Sequence, residues 1–219
     1  MEKTRQKRLM TSRNLFDQQE GELLKVDNPV LAKAMGRVIR EGGCYLIYGR
    51  EKNGKTALAI ALAKALCDNY PTDYISAEEG TKGSFKQALK RAKINKTTKI
   101  KFGEYEPLKE LINRYKKPKS SKVIVVDNLT VYADEFKDVT VIKLLKELGH
   151  KMLILMAHEE RGEPNIAPAK KIKQLASLIF HVEGLKVTVT GRYEGCGGSF
   201  LLSKDLAELY WGEEGLDTI

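Results

Sequence analysis

The sequence predicts an α/β protein with a mainly parallel central sheet flanked by helices and a C-terminal antiparallel hairpin. Three observations point there. After residue 28, short apolar runs alternate with amphipathic segments, the order produced when crossover helices join parallel strands. The stretch GREKNGKT (49–56) lies between an apolar run and an alanine-rich helical one. Beyond Val182 the pattern changes to LKVTVTGRY, GCGG and SFLLS, two strands joined by a glycine-rich turn.

Residues 1–28 lack sustained periodicity, carry Lys3, Arg5, Lys7, Arg8 and Arg13, and end at the Asn28-Pro29 break. They read as a basic, partly disordered N-terminal arm, suited to nucleic acid or a neighbouring subunit, or else a solvated tail. Residues 29–219 then form one domain. Its strands are expected at 44–48 (CYLIY), 72–76 (TDYIS), 99–102 (KIKF), 122–127 (KVIVVD), 152–157 (MLILMA) and 178–182 (LIFHV). Helices are expected between them at about 55–69, 81–93, 107–116 and 137–148, with the basic loop KKPKSS (116–121) joining a helix to a strand.

At 219 residues the chain suffices for one sizeable core. No apolar run approaches the roughly 18 residues of a membrane helix, and no apolar stretch follows the basic N-terminus as a secretory signal requires, so a cytoplasmic protein with no membrane partner is expected. Cys44, Cys67 and Cys196 are too widely spaced for a disulfide framework or a paired-cysteine zinc site, and read as buried thiols. The net charge of +9 favours a polyanionic partner without identifying one.

The chemistry starts at the glycine-rich loop. A phosphate chain needs closely approaching backbone N–H donors, a helix N-terminus and one mobile cation. The backbone of Gly49, Arg50, Glu51, Lys52, Asn53, Gly54, Lys55, Thr56 and Ala57 provides the cradle. Lys55 is placed to reach the β- and γ-phosphates of ATP, and the Thr56 hydroxyl to hold Mg²⁺. Asp127, closing an apolar strand, is the carboxylate expected opposite Thr56. DYISAEEG closes its strand in Glu78 and Glu79; neighbours on an extended strand point to opposite faces, so one of the two orients and deprotonates an attacking water.

GREKNGKT, YISAEEG and VIVVDN, in this order, resemble the RecA-fold ATPases, and within them the group of the repair protein RadA, the replicative helicase DnaB and the clock protein KaiC. LILMAHEERGEPNIAPAKKIKQLASLIFHVEG (153–184) is similar to a RadA stretch, and VTVTGRYEGCGGSFLLS to the K-x-R-x-G hairpin of RadA and DnaB. The resemblance covers roughly residues 36–205. It implies a RecA-like P-loop domain in which Glu78 is the catalytic glutamate and Glu79 the second member of a KaiC-like pair. It further implies that His158 senses the γ-phosphate and that Arg192 reaches ATP bound by the adjacent subunit, which requires a homo-oligomeric ring or filament. The family's lysine two residues before the arginine is replaced by Thr190, leaving Lys186 or Lys204 to compensate. The accessory domains of RadA and DnaB do not fit in 219 residues, so the chain looks like a minimal core of the phage or mobile-element type.

In such proteins the loops after the aspartate strand and the sensor strand line the path of single-stranded DNA. Here the first, NLTVYADEFKD (128–138), is acidic; the second, 159–173, carries Arg161, Lys170, Lys171 and Lys173, the expected DNA contacts. The leading expectation is a DNA-dependent ATPase of recombination, repair or replication, working with other proteins of those processes. The alternative is a nucleotide-switched, KaiC-like assembly or loader protein with slow hydrolysis. A small-molecule phosphotransferase is disfavoured by the lack of an arginine-rich lid.

Overall fold

CYLIY is apolar at every position because it is covered on both sides. In the computed structural model, which describes residues 9–19, 21–40 and 42–211, it lies in β1 (Gly43–Gly49) near the middle of the sheet. Tyr45 and Ile47 point into one core, Cys44, Leu46 and Tyr48 into the other, as the two-residue period of a strand dictates. β2 (Thr72–Ser76), β3 (Ile100–Glu104), β4 (Val123–Asp127), β5 (Met152–Glu160) and β7 (Leu178–Glu183) complete the parallel part, with a short β6 (Glu163–Pro164) folded antiparallel on the end of β5. The order is β3-β2-β4-β5-β1-β7-β8-β9, and β8 (Lys186–Gly191) and β9 (Gly198–Leu201) form the antiparallel C-terminal extension.

α3 (Lys55–Cys67) and α4 (Gly83–Arg91) cover one face; α5 (Leu108–Tyr115), α6 (Val141–Leu148) and α7 (Ala167–Leu175) cover the other. α3 is buried almost all round, and its alanines allow the close approach to the sheet. Where a helix was expected from 137, residues Leu129–Tyr132 and Glu135–Lys137 form 3-10 turns and α6 begins only at Val141, capped by the Thr140 hydroxyl.

The Asn28-Pro29 pair proves to be a helix start. Asn28 Oδ1 accepts from the N–H groups of Val30 (3.0 Å) and Leu31 (3.1 Å), and Pro29 opens α2 (Pro29–Met35). The preceding stretch is tied down: the Leu24 N–H donates to Val38 O, that of Asp27 to Ala65 O and that of Lys25 to the Tyr70 hydroxyl. Further out, Arg13 sits on the short α1 (Ser12–Phe16), which buries no residue, while Lys3, Arg5, Lys7 and Arg8 lie outside the described residues. Cys44 and Cys67 are buried, but Cys196 is only partly covered, because it sits in the β8–β9 turn rather than in an element. α8 (Lys204–Trp211) ends the described chain, Trp211 Nε1 donating to Gly184 O at 3.1 Å. No helix among the described residues is long and apolar enough to cross a membrane.

Candidate nucleotide-binding site

The glycine-rich loop leaves β1 at Gly49 and enters α3 at Lys55. Gly54 makes the turn with φ of 104°, a left-handed conformation that favours glycine, and a Cβ there would meet Leu185 Cδ2 at 2.6 Å and push that side chain aside. Asn53 is 8% exposed and faces inward: its Oδ1 accepts from the Gly184 N–H at 2.6 Å and its Nδ2 donates to Glu51 O at 2.9 Å. Its side chain therefore braces the loop against the β7–β8 turn, and its contribution to a phosphate is restricted to the backbone. Lys55 Nζ spans the loop to the Arg50 carbonyl at 2.8 Å. Burial lowers its pKa, opposed by the charges of Asp127, Glu78, Glu51 and Glu159.

Opposite the loop, the ends of β2, β4 and β5 converge. Thr56 Oγ1 lies 3.4 Å from Asp127 Oδ2, which also accepts from the buried Tyr74 hydroxyl at 2.9 Å. Burial raises the Asp127 carboxyl to about 6, the Tyr74 bond holding it down and Glu78 and Glu79 pushing it up. One hydroxyl and one buried carboxylate suit Mg²⁺, which keeps several waters and takes its remaining ligands from phosphate oxygens. The Asp127 carbonyl accepts from the N–H groups of Ala77 (2.6 Å) and Glu78 (3.2 Å), fixing the glutamates against β4.

The geometry separates the two glutamates. Glu78 accepts from Asn128 Nδ2 at 3.0 Å and from His158 Nε2 at 3.3 Å. Glu79 turns to α4, where its Oε2 accepts from Ser84 Oγ at 2.6 Å. His158 pairs in register with Gly49, directly beside the phosphate loop. An ionised carboxylate only accepts, so Nε2 is the donor in this pair, while Nδ1 is buried with no hydrogen-bond partner among the described residues. The open cavity here, about 1220 Å³, runs from Lys52, Lys55 and Thr56 past Glu79 and Ser84 to an apolar end at Leu185, Leu202 and Leu206.

A second cluster, not anticipated from sequence, joins the loop to α7. The Glu159 carboxylate, 6% exposed, meets His181 Nε2 at 2.7 Å and Arg50 Nε at 3.7 Å. His181 stacks on Tyr48 with ring centroids 4.7 Å apart, and Lys173 Nζ lies 4.6 Å from the centroid of the same Tyr48 ring. Lys173 is also paired with Glu163 at 2.9 Å; burial lowers its pKa, but these partners raise it further. Lys173 is thus engaged within its own chain and differs from Lys170 and Lys171, which are exposed on α7, and from Arg161, exposed in the β5–β6 turn.

Arg192 lies far from its own phosphate loop. Gly191 pairs with Leu178 at the start of β7, whereas Gly49 pairs with Val182 near its end. Four residues of strand place the arginine roughly 13 Å along the sheet. Its Nη2 donates to Gln174 O at 2.9 Å. Neither proposed substitute for the missing lysine accompanies it. Lys186 pairs with Glu183 at the other end of β8, and Lys204 sits at the start of α8, 3.8 Å from Glu208.

Fold and loop together define the class: a RecA-like P-loop protein. Among solved structures, the flagellar accessory protein FlaH from Methanocaldococcus jannaschii matches with a TM-score of 0.60 at 19% identity, over 83% of this chain and 96% of that one. A KaiC-like protein from the hyperthermophilic archaeon Pyrococcus horikoshii matches with a TM-score of 0.59 at 17% identity, over 83% and 92%. No protein-family model matches the sequence, nor does any curated protein. At such identities the likeness establishes the RecA-like fold; it carries neither the narrower grouping with RadA and DnaB nor a phage-type origin.

Proposed function

We propose that this protein binds ATP and hydrolyses it with Glu78 as the base, as a homo-oligomer acting on single-stranded DNA. The observation that carries the hydrolytic reading is the convergence of Glu78, Asp127 and His158 from three strand ends on the phosphate loop. Lys55, released from the Arg50 carbonyl, is the mobile cation for the β- and γ-phosphates. A magnesium ion held by Thr56 and, through water, by Asp127 would neutralise charge on those phosphates. Asn128 and His158 hold the Glu78 carboxylate so that it accepts the proton of a water attacking the γ-phosphorus, while the bond to the ADP oxygen breaks. Arg192, remote from its own loop, is available to a neighbour's.

The DNA reading is supported by the net charge of +9 and by exposed Arg161, Lys170 and Lys171. A second reading, nucleotide-switched assembly with slow hydrolysis, is favoured by Thr190 in place of the lysine before Arg192. Steady-state ATP turnover with and without single-stranded DNA separates them. Stimulation by DNA, abolished in Glu78→Gln, supports the first; slow turnover indifferent to DNA supports the second. Undiminished turnover in Lys55→Ala would overturn both.

A further inference from the structure

A concentrated set of cations that the nucleotide site does not use lies at the other end of the sheet. Residues 116–122 and 143–151 hold seven lysines (Lys116, Lys117, Lys119, Lys122, Lys143, Lys146 and Lys151) and a single carboxylate, Glu147. The two segments form one surface. Lys116 Nζ meets Glu147 Oε2 at 2.8 Å, joining the 116–121 loop to α6, and Lys151 Nζ donates to Ser120 Oγ at 2.9 Å, joining it to the turn before β5. Asp73, the acid at the base of β2, is taken up by the Tyr115 and Ser121 hydroxyls at 2.9 and 2.6 Å.

Lys151 is the unusual member. It is 1% exposed, and its partners among the described residues are the Ser120 hydroxyl and carbonyl, with no carboxylate. An ammonium buried without a counter-ion is costly in general, so its position calls for a reason. It braces the loop from beneath, and Lys117, Lys119 and Lys122 are exposed around it. Lys116 and Lys146 sit at helix C-termini, where cations complement the backbone dipole. That explanation does not reach Lys119 and Lys122, which stand outside the helices.

We infer that this basal surface, Lys117, Lys119 and Lys122 on a loop pinned by Lys151, is a docking site for a nucleic-acid phosphate backbone. The inference rests on the nucleic-acid reading proposed above and relocates its contact. Lys122 and Lys151 immediately precede β4 and β5, whereas the nucleotide site lies beyond their far ends; the six steps from Met152 to His158 span roughly 20 Å. With Lys173 committed to Glu163 and Tyr48, the α7 surface offers fewer unpaired cations than the base. The loop sequence KKPKSS contains no aromatic side chain, so recognition is electrostatic and independent of base sequence.

The test is anisotropy titration of a labelled oligothymidine, across a salt series, with the full chain. The triple variant Lys117→Gln/Lys119→Gln/Lys122→Gln is compared with Lys170→Gln/Lys171→Gln, with ATP binding as the check that each is folded. The basal variant is expected to bind about tenfold more weakly, its log–log salt slope flattened by about 2, since each single-strand contact contributes about 0.7. The α7 variant is expected to lose at most about twofold, a minor contact beside the basal one. Loss confined to the α7 variant, or in neither, overturns the basal site while the nucleic-acid reading stands. A wild type that binds no oligonucleotide at low salt overturns both, and binding instead to vesicles of phosphatidylserine, lost in the basal variant, would reassign the surface to a membrane.

Discussion

Glu78 and Glu79 are adjacent and both exposed, yet only Glu78 is held by side chains from two other strand ends, Asn128 after β4 and His158 on β5. Glu78→Gln is therefore expected to lower turnover by about 10² to 10⁴ while leaving ATP binding intact, and Glu79→Gln to have a much smaller effect, as measured by phosphate release and nucleotide titration. Tyr74 is a residue that sequence reasoning passed over, although it stands inside YISAEE. Its hydroxyl holds the buried carboxylate of Asp127, so Tyr74→Phe is expected to remove about 1–3 kcal/mol of unfolding free energy and to raise the magnesium concentration needed for half-maximal turnover. The thiols divide by depth: burial pushes Cys44 up to about 12 and raises Cys67, so alkylation of the native protein is expected to modify Cys196 and leave the other two unmodified. Mass spectrometry of the labelled peptides reads this directly.

Strands carried the strongest signal in the sequence, because β1, β4 and β5 are buried on both faces and read as unbroken apolar runs. Phosphate loop, carboxylates and histidine were legible for the same reason: each sits at a strand end. Less legible were features that depend on distant partners. α2 has seven residues, too few to show a helical period, and its Asn28-Pro29 start reads in the sequence as a break. The contacts of Lys173 were hidden because Tyr48 and Glu163 come from β1 and β6, which no local pattern places beside it. The Arg50–Glu159–His181 cluster was hidden likewise, Arg50 lying more than a hundred residues before the other two and the three being brought together by the order β5-β1-β7. Asn53 links the phosphate loop to the β7–β8 turn through its buried carboxamide. Asn53→Ala is expected to cost about 1–3 kcal/mol of stability in a denaturant titration and to weaken ATP binding, since it leaves the buried Gly184 N–H without its partner.

Across the whole molecule, the sheet separates two sets of groups. Glu78, Asp127, His158 and the phosphate loop occupy the C-terminal ends of the parallel strands, while Arg192 and the basal lysines occupy the opposite end. A single chain cannot bring Arg192 to its own γ-phosphate, but a head-to-tail neighbour can, and a heterologous contact of that kind closes into a ring or extends as a filament. Light scattering is expected to show assembly in ATP and Mg²⁺. The most direct measurement is subunit mixing. Glu78→Gln retains its arginine and Arg192→Ala retains its base, so each is expected to be nearly inactive alone, and their mixture to recover ATP turnover at sites where the arginine of one faces the glutamate of the other. A mixture no more active than the sum of its parts, or an Arg192→Ala protein with full turnover, would contradict a site completed by a neighbour.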